Sequence, residues 1–177
     1  MPTMKSRLTL PDVENLSVEQ QAIHASILAT RGNLDGPFLA WMHSPAMASH
    51  AEKLGSFCRY QTGFSTIESE LLILCVAAHF RCVGEQQIHE PIAQRAGLSE
   101  TDIAHLRAGT PPPLTDERLQ LLYRLSTELM RENRIGPDSF EAGLAAFGER
   151  GMVELVGIVG YYIFVAMTLN AFDMRAD

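Results

Sequence analysis

Residues 68–97 read ESELLILCVAAHFRCVGEQQIHEPIAQRAG, and this stretch decides which fold the chain can adopt. Its first half is almost continuously apolar and follows a capping box at residues 65–68, which is typical of the start of a helix. Polar residues return after Arg81, and Gly97 supplies a usual helix end. The stretch therefore predicts two consecutive helices, an apolar one and a polar one, with a break near residues 81–84.

Helix signals recur along the rest of the chain, whereas strand signals hardly occur. Serine caps, a proline-rich loop at residues 110–114 and glycine stops divide the chain into segments of helical length. The predicted helices cover residues 17–31, 45–61, 65–78, the stretch from the break to 96, 99–108, 115–133, 138–150 and 152–172, with a short apolar turn or helix at 38–43. This pattern predicts an all-α, single-domain bundle of seven to eight helices, with residues 1–35 as an N-terminal helical extension and residues 36–177 as the main domain.

The composition fits one compact domain in a reducing compartment. Of the 177 residues, 46% are hydrophobic and 20% are charged, which is enough apolar material for one core. The net charge of −7 lacks the basic footprint that nucleic acid binding requires, so we expect no nucleic acid partner. Three cysteines, an odd number, and residues 1–11 without an apolar core argue against a secreted disulfide scaffold. We therefore expect a cytoplasmic protein.

The segment from Leu155 to Phe172 is apolar enough and about long enough to span a bilayer. Against a membrane role, Glu154 and Asn170 lie at its ends, and no cluster of Lys or Arg flanks it. We expect a buried helix or a subunit-interface helix instead, and no membrane partner.

The stretch 68–97 resembles the central motif of the carboxymuconolactone decarboxylase family, which includes alkylhydroperoxidase-D-like proteins. That motif places a glutamate on an apolar helix, a C-x-x-C or a variant of it twelve residues later, and a histidine four residues after that. Glu70, Cys82, Glu85 and His89 occupy these positions. The resemblance covers most of the chain and implies an alkylhydroperoxidase-D-like fold. It also implies a cytoplasmic enzyme of aromatic catabolism that needs no cofactor and forms homotrimers or homohexamers.

The sequence departs from the peroxidase branch of that family, which uses both cysteines as a disulfide couple. Glu85 stands where the second thiol would be, and Gly84 replaces the histidine often found between the cysteines. On one helix, Cys75 would lie two turns from Cys82, about 10 Å away, whereas a disulfide needs alpha carbons within about 7 Å. The two-cysteine cycle is therefore disfavoured, unless Cys58 comes close in the fold.

Without a pair of cysteines, the motif still contains residues that can perform acid–base chemistry. Glu85 and His89 are four residues apart and share one helix face, where a carboxylate can orient an imidazole and raise its pKa. Glu70 on the preceding helix can meet them across the packed pair. We therefore predict a lyase in which Glu70, Cys82, Glu85 and His89 act by decarboxylation or proton transfer on a small lactone or unsaturated carboxylic acid.

An anionic substrate needs a cation, and Arg59 and Arg81 are the candidates for binding its carboxylate. His50 is a further candidate at the mouth of the cavity. His79, Cys82, Glu85 and His89 have a spacing that could present metal ligands on one helix face, but the break near Arg81 would disrupt that face. Because the resemblance is to a metal-free family, we predict no metal and no cofactor.

Simpler interpretations stay open for each residue. Glu85 and His89 can be a surface pair, Glu70 a first-turn acid, and Cys82 a small buried filler. Two other functions are therefore kept as alternatives. The first is a thiol-dependent alkyl hydroperoxidase or disulfide reductase that uses a reactive Cys82. The second is a non-catalytic helical oligomer that serves as a binding module.

Overall fold

The computed structural model describes residues 4–176, so residues 1–3 of the N-terminal segment considered above lie outside the described residues. Within that range the chain forms eight α-helices: α1 Val18–Arg31, α2 Phe38–Trp41, α3 Pro45–Tyr60, α4 Thr66–His79, α5 Val83–Ala96, α6 Glu100–Arg107, α7 Glu117–Glu132 and α8 Pro137–Ala171. Strand β1 (Met4–Lys5) pairs antiparallel with β2 (Arg175–Ala176). The predicted all-α bundle of seven to eight helices is confirmed.

Local signals place most of these helix ends. Ser17 and Gln20 make both hydrogen bonds of the predicted capping box at the start of α1. Ser65 and Glu68 do the same at the start of α4. Gly97 ends α5 in the left-handed conformation, with φ of 115°, a region that favours glycine because it lacks a Cβ.

Helix α4 is the centre of the bundle. All ten residues from Glu68 to Ala77 are buried, because α5, α6, α7 and α8 surround it. A helix that is apolar around its whole circumference is stable in water only in such a position. Polar side chains carried by α4 are therefore brought into the protein interior.

The predicted break between α4 and α5 is a tight turn at residues 80–82. Arg81 has a positive φ of 49°, and the backbone N–H of Cys82 donates to the carbonyl of Ala77 over 2.8 Å. The side-chain amide of Asn170 on α8 donates to the carbonyl of Phe80 over 2.8 Å. The turn reverses the chain, so that α5 returns along α4 and faces its first half.

Helix α8 consists of two helices joined across a kink, as predicted, but the boundary lies at Gly148 instead of residue 151. Gly148 has a non-helical φ of 65° and ψ of 177°. Helix α8 is the one element within residues 4–176 that is long and apolar enough to cross a membrane, but 61% of its most apolar window is buried inside the protein. Such burial is typical of a core helix in a soluble protein.

The N-terminal segment is packed onto the main body. Ile23 and Ile27 on α1 belong to the hydrophobic core, and α1 contacts α3. The pairing of β1 with β2 joins the two ends of the described chain. The division of the chain at residue 35 stays a prediction.

Candidate active site

The site is built on Glu70 of α4 and His89 of α5, which face each other across the helical hairpin. Both side chains are buried, with Glu70 2% and His89 5% exposed. The Nδ1 atom of His89 lies 2.7 Å from one carboxylate oxygen of Glu70, and the second oxygen lies 2.9 Å from Nη1 of Arg59 on α3. The carboxylate of Glu70 therefore joins the imidazole to a guanidinium.

The other ring nitrogen of His89 faces Glu85. Because Nδ1 donates to Glu70, Nε2 is the free nitrogen, and it lies 3.4 Å from Oε2 of Glu85. That oxygen has no hydrogen-bond partner among residues 4–176. Burial raises the pKa of Glu85, and the charges of His89 and Arg59 offset this only in part. The site thus places beside an imidazole a carboxyl group whose charged form is disfavoured by burial.

Arg59 closes the polar cluster against α8. Its Nη1 lies 3.5 Å from the hydroxyl of Tyr162 and 3.3 Å from Nδ1 of His89. The second contact is not a hydrogen bond if Nδ1 carries the proton donated to Glu70, since both atoms are then donors. The ring of Tyr162 meets the imidazole edge to face at 5.4 Å. The imidazole is therefore fixed in position on three sides.

A cavity of about 400 Å³ opens beside this cluster. Its walls come from the end of α1, the start of α2, and α3, α5 and α8, and both short strands reach its edge. The main lining side chains are Arg31, Phe38, Arg59, Tyr60, Glu85, Ile88, His89, Ile92, Tyr161, Tyr162 and Val165. The volume is that of a small-molecule site, and its wall combines apolar side chains with many polar and charged ones, including Asn33, Asp35, Gln87 and Arg95.

The structure brings together four of the residues singled out in the sequence: Glu70, Glu85, His89 and Arg59. Cys82 is in a different position, because it is the N-cap of α5, is fully buried, and is not among the residues that line the cavity. Burial raises the pKa of its thiol to about 11, which disfavours the nucleophilic thiolate.

The expectation that Arg81 and His50 contact the substrate disagrees with their positions. Nine residues separate His50 from Arg59 on α3, and at 100° per residue they lie on opposite faces of the helix, so that His50 is exposed. Arg81 lies in the left-handed turn after α4, and its exposed side chain lines a separate groove. Being next to Cys82 in sequence does not bring Arg81 to the cavity.

Sequence reasoning missed Arg31, Tyr161 and Tyr162 on the cavity wall. Burial raises the pKa of both tyrosines, so their hydroxyls stay protonated and can donate hydrogen bonds. The tyrosine pair inside an otherwise apolar helix was a visible signal. Arg31 gave none, because a basic residue at a helix C-terminus is common on its own account.

The structure also shows where the candidate metal ligands, the three cysteines and Gly84 lie. Within residues 4–176 no group of three or more His, Cys, Asp or Glu side chains is arranged to hold a metal ion. Cys58, Cys75 and Cys82 are all buried free thiols. A Cβ at position 84 would collide with the backbone carbonyl of Met174, so the glycine admits the C-terminal segment where a histidine would not fit.

A buried Glu–His pair on the α4–α5 hairpin, in a helical bundle closed by α8, defines the class of the protein: it has the alkylhydroperoxidase AhpD fold. The AhpD core protein from Ralstonia eutropha JMP134, an uncharacterized peroxidase-related protein, matches with a TM-score of 0.81 at 14% identity, over 97% of this chain and 92% of that one. An uncharacterized peroxidase-related protein from Silicibacter sp. TM1040 gives 0.78 at 15% identity, over 99% and 94%. The debrominase Bmp8 gives 0.75 at 12% identity, over 96% and 91%.

No protein-family profile and no curated protein sequence matches the chain. At identities of 12–15% the structural likeness defines the fold alone. The alkylhydroperoxidase-D-like fold implied by the sequence motif is therefore confirmed.

Proposed function

We propose that the protein is an acid–base enzyme of the carboxymuconolactone decarboxylase type, which acts on a small lactone or unsaturated carboxylic acid by decarboxylation or proton transfer. The observation that carries this proposal is the buried chain Glu70–His89–Glu85, which ends on the wall of a 400 Å³ cavity. The debrominase Bmp8 supports an enzymatic role, because it is an enzyme with the same fold.

In this proposal Glu85 is the group that delivers a proton to substrate. Burial raises its pKa, which favours the protonated form more than in an exposed glutamate, and it lies on the cavity wall. His89 returns the proton to Glu85 through Nε2, 3.4 Å away. Glu70 holds the imidazole in the correct tautomer and stabilises it when it is charged, and Arg59 keeps Glu70 in place.

For a decarboxylation, the carbon–carbon bond to the departing carboxylate breaks and carbon dioxide leaves. The electron pair is delocalised onto the lactone carbonyl, where the hydroxyls of Tyr161 and Tyr162 and the charge of Arg59 can stabilise the negative oxygen. Glu85 then protonates the carbon and becomes a carboxylate, which takes its next proton from solvent through His89. A simple proton transfer uses the same groups without loss of carbon dioxide.

The test is turnover of an unsaturated lactone with a carboxylate on the saturated ring carbon next to the double bond, so that the electron pair left by carbon dioxide is delocalised onto the ring carbonyl. In deuterated water, we expect release of carbon dioxide with one deuterium incorporated in the product, as read by NMR. His89→Gln should lower kcat by about 10²- to 10⁴-fold. Arg81→Gln, outside the cavity, is the matched control and should leave kcat unchanged. Equal rates for wild type and H89Q would contradict the proposal.

A thiol-dependent hydroperoxidase is the second candidate, favoured by the two peroxidase-related neighbours of the same fold. Within the site this function depends on Cys82, whose thiol lies close to the backbone N–H groups of Glu85 and Gly84. It predicts consumption of an organic hydroperoxide that is lost in Cys82→Ala and retained in H89Q. The acid–base proposal predicts instead a lactone turnover that is retained in C82A and lost in H89Q.

The apolar outer face of α8 favours a homo-oligomer. Val153 is 72% exposed, Val156 50% and Met167 54%, and helical spacing aligns them with Phe164. Gly160 has open space beside it, which permits close approach of another helix. We propose a cytoplasmic homotrimer or homohexamer that buries this face. Light scattering should give a multiple of the 19.5 kDa chain mass, and Val153→Glu should shift the protein toward monomer.

The oligomer also serves to test the remaining alternative, a non-catalytic binding module. That function predicts that H89Q changes no rate with any lactone, carboxylate or hydroperoxide. It also predicts that V153E removes the binding activity together with the assembly.

A further inference from the structure

Arg31 lines the cavity but is not engaged by the acid–base cluster. Its Nε and Nη2 atoms are buried and have no hydrogen-bond partner among residues 4–176. Two of the three guanidinium nitrogens have therefore lost their hydration without gaining a hydrogen bond in the protein, which is unfavourable in the free protein. Such a group points to an anionic partner that arrives from outside the protein.

The surroundings of Arg31 hold its side chain in position. The guanidinium carbon lies 4.8 Å above the ring centre of Phe38 and 5.9 Å from that of Tyr60. A Cβ at Gly55 would lie 2.8 Å from Nη2 of Arg31 and would collide with the hydroxyl of Tyr161. Because Gly55 on α3 has no side chain, it leaves room for the guanidinium of Arg31 and the hydroxyl of Tyr161.

The other arginines at the cavity are less suited to bind an anion. Arg59 already donates to Glu70 over 2.9 Å, so an incoming carboxylate would have to compete with a buried ion pair. Arg95 is exposed at the edge, where water screens its charge. Arg31 is the cation whose donors are both buried and uncommitted.

A second unmatched group shares the cavity with Arg31. Oε2 of Glu85 is also buried without a hydrogen bond, and the charge of Arg31 is near enough to lower the pKa of that carboxyl. Three of the four unpartnered buried side-chain polar atoms within residues 4–176 belong to these two residues. A ligand that satisfies both offers an anionic oxygen to Arg31 and a proton-accepting atom to Glu85. The cavity wall also carries the apolar side chains of Ile88 and Ile92, together with the polar side chains of Asp35 and Gln87.

We propose that Arg31 is the specificity-determining residue of the cavity and binds a carboxylate group of a small unsaturated carboxylic acid, whose apolar body extends toward Glu85. The reaction at Glu85 rests on the proposed function, whereas the binding of the carboxylate does not. Because an ion pair stabilises a carboxylate relative to carbon dioxide, the group held by Arg31 is retained in the product. A substrate that is decarboxylated therefore carries a second carboxyl group.

The test compares two probes of one shape, sorbate and its neutral amide sorbamide, by titration calorimetry. Trp41 offers a fluorescence signal as well, since its ring lies 5.6 Å from Phe38 and 6.2 Å from Tyr161, both on the cavity wall. We expect wild type to prefer sorbate. Arg31→Gln should weaken sorbate binding about 10- to 100-fold and leave sorbamide binding unchanged. Arg31→Lys should bind sorbate with an affinity between those of wild type and R31Q, because lysine keeps the positive charge but lacks the planar guanidinium that binds a carboxylate through two N–H groups.

Arg81→Gln removes the same charge outside the cavity and should bind both probes as wild type does. If R31Q binds sorbate normally, or if wild type does not prefer sorbate, Arg31 is not the carboxylate ligand. If R31Q binds neither sorbate nor sorbamide, Arg31 has a structural role, and this result also overturns the proposal. The two claims fail separately: if R31Q loses sorbate binding but H89Q keeps full turnover, the acid–base function fails while the carboxylate site stands.

Discussion

Two pockets of similar volume, the cavity next to His89 and a groove at the C-terminal end of α4, differ in how their charged groups are solvated. The cavity beside Glu70 has a volume of about 400 Å³, and the groove beside the C-terminal end of α4 has about 440 Å³. The groove contains Arg81, Arg107 and Arg131, all exposed to water. In the cavity, by contrast, Arg31 and Glu85 hold buried polar atoms without partners.

The comparison shows that the number of charged side chains in a pocket does not identify it as a functional site. Solvated arginines cost nothing to keep and need no ligand. Buried unpaired groups lower the stability of the free protein, and such a cost persists where binding or catalysis recovers it. The following predictions test whether the cavity and the groove really differ in this way.

The largest effect is expected for Glu70→Gln. The substitution takes away the charge that pairs with Arg59 and the acceptor that orients His89, and it leaves a guanidinium buried without a carboxylate. We expect a loss of about 3–5 kcal/mol in the free energy of unfolding, measured in urea, together with loss of turnover. Glu90→Gln is the control, since its partner Arg107 is 57% exposed, and it should cost less than about 1 kcal/mol. Equal losses for both variants would remove the contrast between buried and solvated charges.

The next effect is a pH dependence that comes from Glu85. Its pKa in the folded protein is raised above the ordinary value of 4.5, so the unfolded chain loses this proton at lower pH than the folded one does. Between those two values a rising pH favours unfolding, with a slope of up to about 1.4 kcal/mol per pH unit. Glu85→Gln removes this contribution.

We therefore expect the stability of E85Q relative to wild type to increase between pH 5 and pH 8, while its turnover is lost. Urea unfolding of both proteins at the two pH values measures the difference. A difference that does not change with pH would mean that the carboxyl titrates normally and that the cavity does not hold a neutral acid.

A smaller effect is expected for Cys82→Ala. The thiol is fully buried, so its removal should cost about 1–2 kcal/mol of stability, but it does not line the cavity, and turnover of the lactone should change by less than about threefold. In native wild type the thiol should also react slowly with a disulfide reagent at pH 7. Fast labelling, or complete loss of turnover in C82A, would mean that the thiol of Cys82 is reactive and takes part in the reaction.

The fold was accessible from sequence because its signals are local. Capping boxes at Ser17 and Ser65 and a glycine stop at Gly97 act within one helix turn, and the structure places helix ends there. The position of Glu70 opposite His89 followed from the motif, since a tight turn between two helices leaves few ways to pack them.

The errors have a different physical origin. His50 was assigned to the cavity mouth because its helix reaches the cavity, but the rotation of the helix points it away. Arg31 was missed because it is brought to the cavity by the packing of α1 on α3, and sequence patterns do not encode which helices pack together. The cavity depends on these long-range contacts, whereas the cluster of Glu70, Glu85 and His89 depends mostly on one hairpin.

The smallest effect concerns the groove and Arg81. This residue has φ of 49°, a left-handed conformation that costs a non-glycine residue about 1 kcal/mol, and its side chain is exposed. Arg81→Gly relieves that cost but adds freedom to the unfolded chain, so we expect a net stabilisation of up to about 1 kcal/mol and unchanged turnover. Arg81→Gln loses the same charge without the backbone relief and should match wild type in urea unfolding. If R81Q and R81G both lower turnover, Arg81 takes part in the reaction. In that case solvent exposure does not distinguish a functional arginine such as Arg31 from a non-functional one.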